Sequence, residues 1–235
     1  MNLTNKTILI TGANRGIGRA LVEEALTRGA KRVYAATRQP FAHSDERVMP
    51  LTLDVTNAVQ IQGSVGSVGS LDILVNNAGV WVIKPLLEQT DDDFDRVIAV
   101  NLRGTWLFLR AVAPGMVARG RGAIVNLASI AAFTYTVATG AYGASKAGVV
   151  ALTRDAAFEL AAHGVRVNAI APGNIANPRR SNRWPPSAGV PLGSGGPEDI
   201  AGAVRFLVTD ASRYVIGQTI TVAGGGDLSV SAGWG

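Results

Sequence analysis

Tyr142-Gly143-Ala144-Ser145-Lys146 places a phenol and an ammonium four residues apart. On a helix that spacing puts both side chains on one face. A cation beside a phenol stabilises its phenolate and lowers a pKa that is about 10 in isolation. A phenol shifted toward neutrality can hand a proton to a carbonyl oxygen as hydride arrives at carbon, or take one from an alcohol. The same pair also arises by chance, as a partly buried ring beside a solvated amine, so its surroundings must decide. Ser129 lies just past a run that reads as a strand, where its hydroxyl can hydrogen-bond a substrate oxygen. Alone it would read as a turn serine. Asn101 interrupts the apolar stretch Ala99-Val100-Asn101-Leu102 and needs hydrogen-bond partners, structural or functional.

A second cluster lies near the N-terminus. Thr11-Gly12-Ala13-Asn14-Arg15-Gly16-Ile17-Gly18 separates an apolar run from a helical pattern. Glycines there allow a sharp turn and the close approach of a pyrophosphate. The helix that follows offers N–H groups and a partial positive charge to that anion. The spacing is G-x-x-x-G-x-G rather than the commoner G-x-G-x-x-G, and a glycine-rich turn alone is a weak signal. At the end of the second strand an acid would bind a ribose 2′-hydroxyl. This chain has Ala35-Ala36-Thr37-Arg38 there. Arg38, with Arg15 as a second cation, can instead bind a 2′-phosphate, which predicts NADP(H) over NAD(H). The alternative is two ordinary surface arginines.

Elements of the right kind surround these residues. Apolar runs at 7–11, 31–36, 48–53, 71–75, 122–127, 165–170 and 219–222 read as strands. Helical spacing covers 15–28, a long stretch from the acidic cap at Thr90 to about Val117, 141–162 and 197–208. Strands alternating with helices predict an α/β fold, a doubly wound parallel sheet covered on both faces, with its ligand crevice at the carboxyl ends of the strands. The Gly- and Ser-rich patch at 63–70 reads as a frayed or shortened helix rather than a linker, because regular elements continue on both sides. The whole chain, 1–235, is therefore expected to form one domain. Residues 177–196 form a long irregular stretch that reads as a substrate loop, with Trp184-Pro185-Pro186 inside it, and 226–235 form a tail.

Composition removes several alternatives. There is no cysteine, so disulfides, thiolate chemistry and cysteine-bound zinc are excluded, and a reducing, cytoplasmic setting fits. No metal site is expected. No apolar run is long enough for a membrane helix, and Met1 to Lys6 has no signal-peptide character. The net charge is +5, but the basic residues are scattered; only Arg179, Arg180 and Arg183 crowd together. That distribution suits a solvated surface, or attraction for an anionic cofactor, better than nucleic acid. Both histidines, His43 and His163, read as structural.

Taken in order, these motifs resemble the short-chain dehydrogenase/reductase family. The resemblance rests on the Thr11–Gly18 loop, Asp54 in Leu53-Asp54-Val55, Asn76-Asn77-Ala78-Gly79, Asn101, Ser129, Tyr142 with Lys146, and Pro172-Gly173. It implies a single Rossmann-like domain with seven parallel strands in the order 3-2-1-4-5-6-7, assembled as a homotetramer or dimer. It implies that Tyr142 is the general acid/base and that Lys146 lowers its pKa and binds the nicotinamide ribose. Ser129 would polarise the substrate carbonyl, and Asn101 would hold a water that links Lys146 to solvent. Gly12, Asn14, Arg15, Gly16, Ile17, Gly18, Arg38, Asp54, Val55, Asn77, Ala78 and Gly79 would hold the cofactor's adenosine and phosphates. Pro172, Gly173 and Ile175 would border the nicotinamide.

The chain departs from the pattern at Asn177, where a threonine is usual, at Ala223, where an acid is usual, and in the tail with Trp234. The expected partner is a small carbonyl or alcohol, with Trp81, Phe133, Tyr135 and Trp184 as pocket candidates and an apolar ketone favoured. A lyase or dehalogenase-like branch would have lost the glycines and the lysine. A protein that senses or scaffolds with bound NADP, without turnover, is the rival from another class; it need not keep serine, tyrosine and lysine together.

Overall fold

A computed structural model of the chain describes residues 1–40, 42–135, 138–176 and 189–228. Asn177, Trp184, the three crowded arginines, most of the 177–196 stretch, residues 229–235 and Trp234 lie outside the described residues. Seven parallel strands form one sheet in the order β3-β2-β1-β4-β5-β6-β7. They are β1 (Thr7–Thr11), β2 (Arg32–Thr37), β3 (Val48–Thr52), β4 (Ile73–Asn76), β5 (Gly122–Leu127), β6 (Val165–Pro172) and β7 (Thr219–Val222). The helices are α1 (Gly16–Thr27), α2 (Ala58–Val68), α3 (Asp91–Ile98), α4 (Gly104–Ala118), α5 (Gly140–Ala161) and α6 (Pro197–Val208).

Successive strand residues point to opposite faces, and both faces of a parallel sheet must be covered. Ile8 and Ile10 of β1 pack with Leu21 and Val22 of α1 and Ile200 and Val204 of α6. Leu9, between them, faces the other way and packs with Ile61 of α2 and Phe108 and Met116 of α4. The order reverses between β1 and β4, so their carboxyl ends open a crevice. The candidate site residues among the described ones lie on that edge or on the elements that follow it.

Two elements differ from the sequence reading. The long helix expected to run to about Val117 is two α-helices joined by a π-helical turn, Ala99–Arg103. Asn101 is in that turn, and its carbonyl accepts the Thr105 hydroxyl at 2.8 Å. Widened helical turns of this kind recur at functional sites. The patch expected to be frayed sits in a regular helix to Val68. Asn57 caps α2 by accepting from the amides of Val59 and Gln60, and Ile61 and Val68 anchor it.

Gly63 and Gly66 are exposed in α2, with nothing within 4 Å of where a Cβ would stand. No packing explains glycine there, and each costs roughly 1 kcal/mol relative to alanine in a helix. The double variant Gly63→Ala/Gly66→Ala is expected to raise the Tm by a few degrees in a thermal melt. An unchanged or lowered Tm would contradict α2 as described.

Candidate active site

The glycine loop is tied to the end of β4. The buried Thr11 hydroxyl accepts from the amides of Asn77 and Ala78, each at 2.9 Å. The Asn77 amide in turn donates to the carbonyls of Thr11 and Gly12, at 2.8 and 3.1 Å. Gly12 takes a φ of +67°, and at Gly18 a Cβ would stand 2.1 Å from the Gly12 carbonyl oxygen, so neither accepts a side chain. Gly16 faces open space, and no side chain caps the N-terminus of α1 at Arg15. A helix start without a side-chain cap leaves first-turn amides that an anion could complete. Asn14 and Arg15 are exposed, and Ile17 packs on the core below.

Beyond this loop, Arg38 is exposed just past β2, and Asp54 follows β3. The Thr56 amide and hydroxyl donate to the Asp54 carboxylate at 2.8 and 2.7 Å. These bonds, the amide first, and the nearby Arg38 charge hold Asp54 below the usual carboxylate range against partial burial. Val55 is buried, and its carbonyl would stand 3.1 Å from a Cβ on Gly104, a tight approach. On the far side, Gly173 donates to the Val222 carbonyl. A Cβ on Gly173 would stand 2.6 Å from that of Ala223, so the Pro172-Gly173 turn and the substituted position press together. Ile175 pairs with Gly195 and packs on the core.

Between these flanks the structure gathers Asn101, Ser129, Tyr142 and Lys146. Lys146 is only 5% exposed, and its Nζ donates to the Leu127 carbonyl at 2.6 Å. The same nitrogen is 5.7 Å from the centre of the Tyr142 ring. Among the described residues no carboxylate pairs with it. Burial lowers the Lys146 pKa from 10.5 to about 8, so the ammonium is still charged at neutral pH. Ser129, buried at the end of β5, opens a short 3₁₀ turn in which its Oγ accepts the Ala131 amide at 3.2 Å. Its proton is still available to donate. That turn abuts the first turn of α5: a Cβ on Gly143 would stand 3.0 Å from the Ala131 carbonyl.

Asn101, 1% exposed, joins the parts. Its Oδ1 accepts the Val80 amide and its Nδ2 donates to the Val80 carbonyl, both at 2.8 Å. Nδ2 also donates to Ser145 Oγ at 3.0 Å, and Ser145 Oγ donates to the Tyr142 carbonyl at 2.7 Å. A Cβ on Gly79 would lie 3.4 Å from Asn101 Oδ1 and 3.7 Å from Lys146 Nζ, so the Asn76–Gly79 segment passes directly over the lysine. Trp81 stands edge-on to Tyr142, with centroids 6.1 Å apart and planes at 84°. The sequence reading assigned nothing to Ser145, Val80 or the Leu127 carbonyl. Only Ser145, a polar residue on the buried face of a helix, left a signal. His43 is tied to Glu23 and Asp45 away from this group. Among the described residues no cluster of histidine or acid side chains is arranged to hold a metal.

The family model described as short chain dehydrogenase matches residues 6–187. The chain belongs to this family. Its members are oxidoreductases that act on CH–OH and C=O groups with a nicotinamide dinucleotide. Over its length the chain is 38% identical to a sorbitol dehydrogenase from Cereibacter sphaeroides, covering 97% of this chain and the whole of that one. It is 34% identical to the 3-oxoacyl-[acyl-carrier-protein] reductase FabG of Escherichia coli, covering 96% and 98% of the two chains. A solved 3-oxoacyl-[acyl-carrier protein] reductase from Brucella melitensis superposes with a TM-score of 0.87 at 32% identity, over 95% and 92% of the two chains. No helix among the described residues is long and apolar enough to cross a membrane.

The buried lysine has a measurable signature. Its folded pKa of about 8 lies below its ordinary 10.5, so below pH 8 its burial opposes folding. That opposition fades as the pH rises toward 10.5. The Tm of Lys146→Met minus that of the wild type should be most positive near neutral pH and fall between pH 8 and 10.5. A difference that stays constant over this interval would contradict the buried ammonium.

Proposed function

We propose that this chain reduces a ketone or aldehyde to an alcohol, and runs the reverse reaction, with NADP(H) as its hydride carrier. The observation that carries this reading is the buried Lys146 ammonium, unpaired with any described carboxylate and held beside the Tyr142 ring. The residues present fit the cofactor. The open Gly16 backbone and the uncapped α1 N-terminus suit a pyrophosphate, and Arg15 and Arg38 suit a 2′-phosphate. Asp54 and Val55 would meet the adenine, Asn77, Ala78 and Gly79 the adenosine side, and Pro172, Gly173 and Ile175 the nicotinamide.

When bound, the cofactor supplies or accepts the hydride. In reduction, Tyr142 gives its phenolic proton to the substrate oxygen; the phenol O–H bond breaks as the alcohol O–H forms. Lys146 stabilises the phenolate left behind, and the Ser129 hydroxyl donates to the same substrate oxygen as negative charge develops there. Asn101 keeps Val80 and α5 in register, and a water at its π-helical turn would return a proton from solvent toward Lys146. Trp81 and Phe133 are 40% and 54% exposed on the elements that flank Tyr142 and Ser129, and Tyr135 is 88% exposed. An apolar ketone, rather than a polyol, suits these walls. A reducing cytoplasm suits a chain without cysteine, and a homo-oligomer is a frequent state in the family.

The test is oxidation of NADPH and NADH against a panel of aryl, alkyl and polyhydroxylated ketones. Turnover with NADPH on the apolar members is expected. Arg38→Asp should lower kcat/KM for NADPH about 10- to 100-fold, the worth of a charge-assisted contact to phosphate, with little change for NADH. Equal use of both cofactors, with no effect of Arg38→Asp, would overturn the NADP assignment.

A further inference from the structure

Tyr142 is the third residue of α5. The first turn of any helix has amides with no partner inside the helix, so its direction depends on what accepts from them. Gly143 donates to the Thr139 carbonyl at 2.8 Å. The Ala141 amide donates to Gln89 Oε1 at 3.4 Å, across 52 residues of sequence. A Cβ on Gly140 would sit 3.7 and 3.9 Å from the two polar atoms of the same Gln89 amide, so the side chain lies flat against the helix start.

The other half of that amide is also used. Gln89 Nε2 donates to the Lys84 carbonyl at 2.9 Å, and the Lys84 amide donates to the Ala138 carbonyl at 2.9 Å. Ala138, two residues before α5, has a φ of +59°, a left-handed conformation that an alanine keeps only when its neighbours enforce it. The strap from Val80 to Gln89 is fixed at both ends. Asn101 grips Val80 through both backbone atoms, while the Lys84 side chain pairs with Asp93 of α3. Gln89 itself precedes Thr90, whose capping box with Asp93 starts α3. Within the strap, Val82 packs with Val97 and Ala141 beside Tyr142. One amide therefore closes a ring of hydrogen bonds between the strap and the start of the helix that carries the phenol.

We propose that Gln89 is a positioning residue for Tyr142: its amide oxygen caps α5 from outside, and its amide nitrogen anchors that cap to the strap. The proposal rests on Tyr142 as the proton donor. Only a side chain with a donor and an acceptor on one group serves both contacts. Gln89→Leu loses both; Gln89→Glu keeps the acceptor for Ala141 and loses the donor to Lys84.

The experiment compares wild type, Gln89→Leu and Gln89→Glu by steady-state kinetics at saturating NADPH, by NADPH binding, and by hydrogen exchange at residues 140–144. Gln89→Leu is expected to lower kcat about 3- to 10-fold, the scale of a lost helix cap, with the NADPH Kd unchanged and faster exchange at Ala141. Gln89→Glu is expected to recover at least half of kcat and the exchange protection. A purely structural role would lower the Tm of both variants and leave kcat alone. The proposal is overturned if Gln89→Leu keeps kcat within about twofold, whatever its exchange, or if Gln89→Glu is as impaired as Gln89→Leu. If the wild type turns over no substrate, the reductase reading fails by itself, and the exchange data still decide whether Gln89 caps α5.

Discussion

An ammonium kept charged in a buried place is the constraint around which the carboxyl edge of this sheet is built. Burial disfavours the charged form of Lys146, and no described carboxylate offsets it. The compensation comes from a backbone carbonyl at the end of β5 and the face of an aromatic ring. Such a cation favours any negative charge that forms within its reach. In the proposed reaction Tyr142 is the group that would carry one, since its ring lies beside the ammonium.

That arrangement holds only if β5, α5, the π-helical turn and the segment after β4 keep their relative positions. Asn101 supplies the common link, with one side chain bonded to Val80 and to Ser145. The widened turn is what puts it there. There the Asn101 carbonyl also accepts the Thr105 hydroxyl, which ties the turn to the start of α4. The glycine loop is fixed to the same β4 segment through Thr11 and Asn77, so the loop and the Lys146 group share one frame.

Much of this was legible in the sequence. β1, β5, α6 and β7 have the limits that apolar runs and cap residues indicate, because short buried strands and acid-capped helices leave local signals. The strand order and the resemblance came from motifs whose order along the chain was informative even where each alone was weak. The π-helical turn was not legible, since one extra residue per turn does not disturb an apolar pattern enough to be seen. Nor were Leu127 and Gln89, whose contacts join residues 19 and 52 positions apart and depend on backbone geometry rather than periodicity; Ser145 left only its polarity on a buried helix face. For α2, glycines and serines suggested fraying, but Asn57 at its start and two buried side chains outweigh their poor helix propensity.

In the proposed reaction, proton transfer at Tyr142, supported by Lys146, is the chemistry of this site. The most direct measurement is a single turnover with NADPH deuterated at the transferable position, comparing wild type with Tyr142→Phe. Deuterium is expected on the product carbinol carbon with the wild type, and with the variant unchanged NADPH binding but label transfer slowed by orders of magnitude. Label transfer by Tyr142→Phe at the wild-type rate would contradict it.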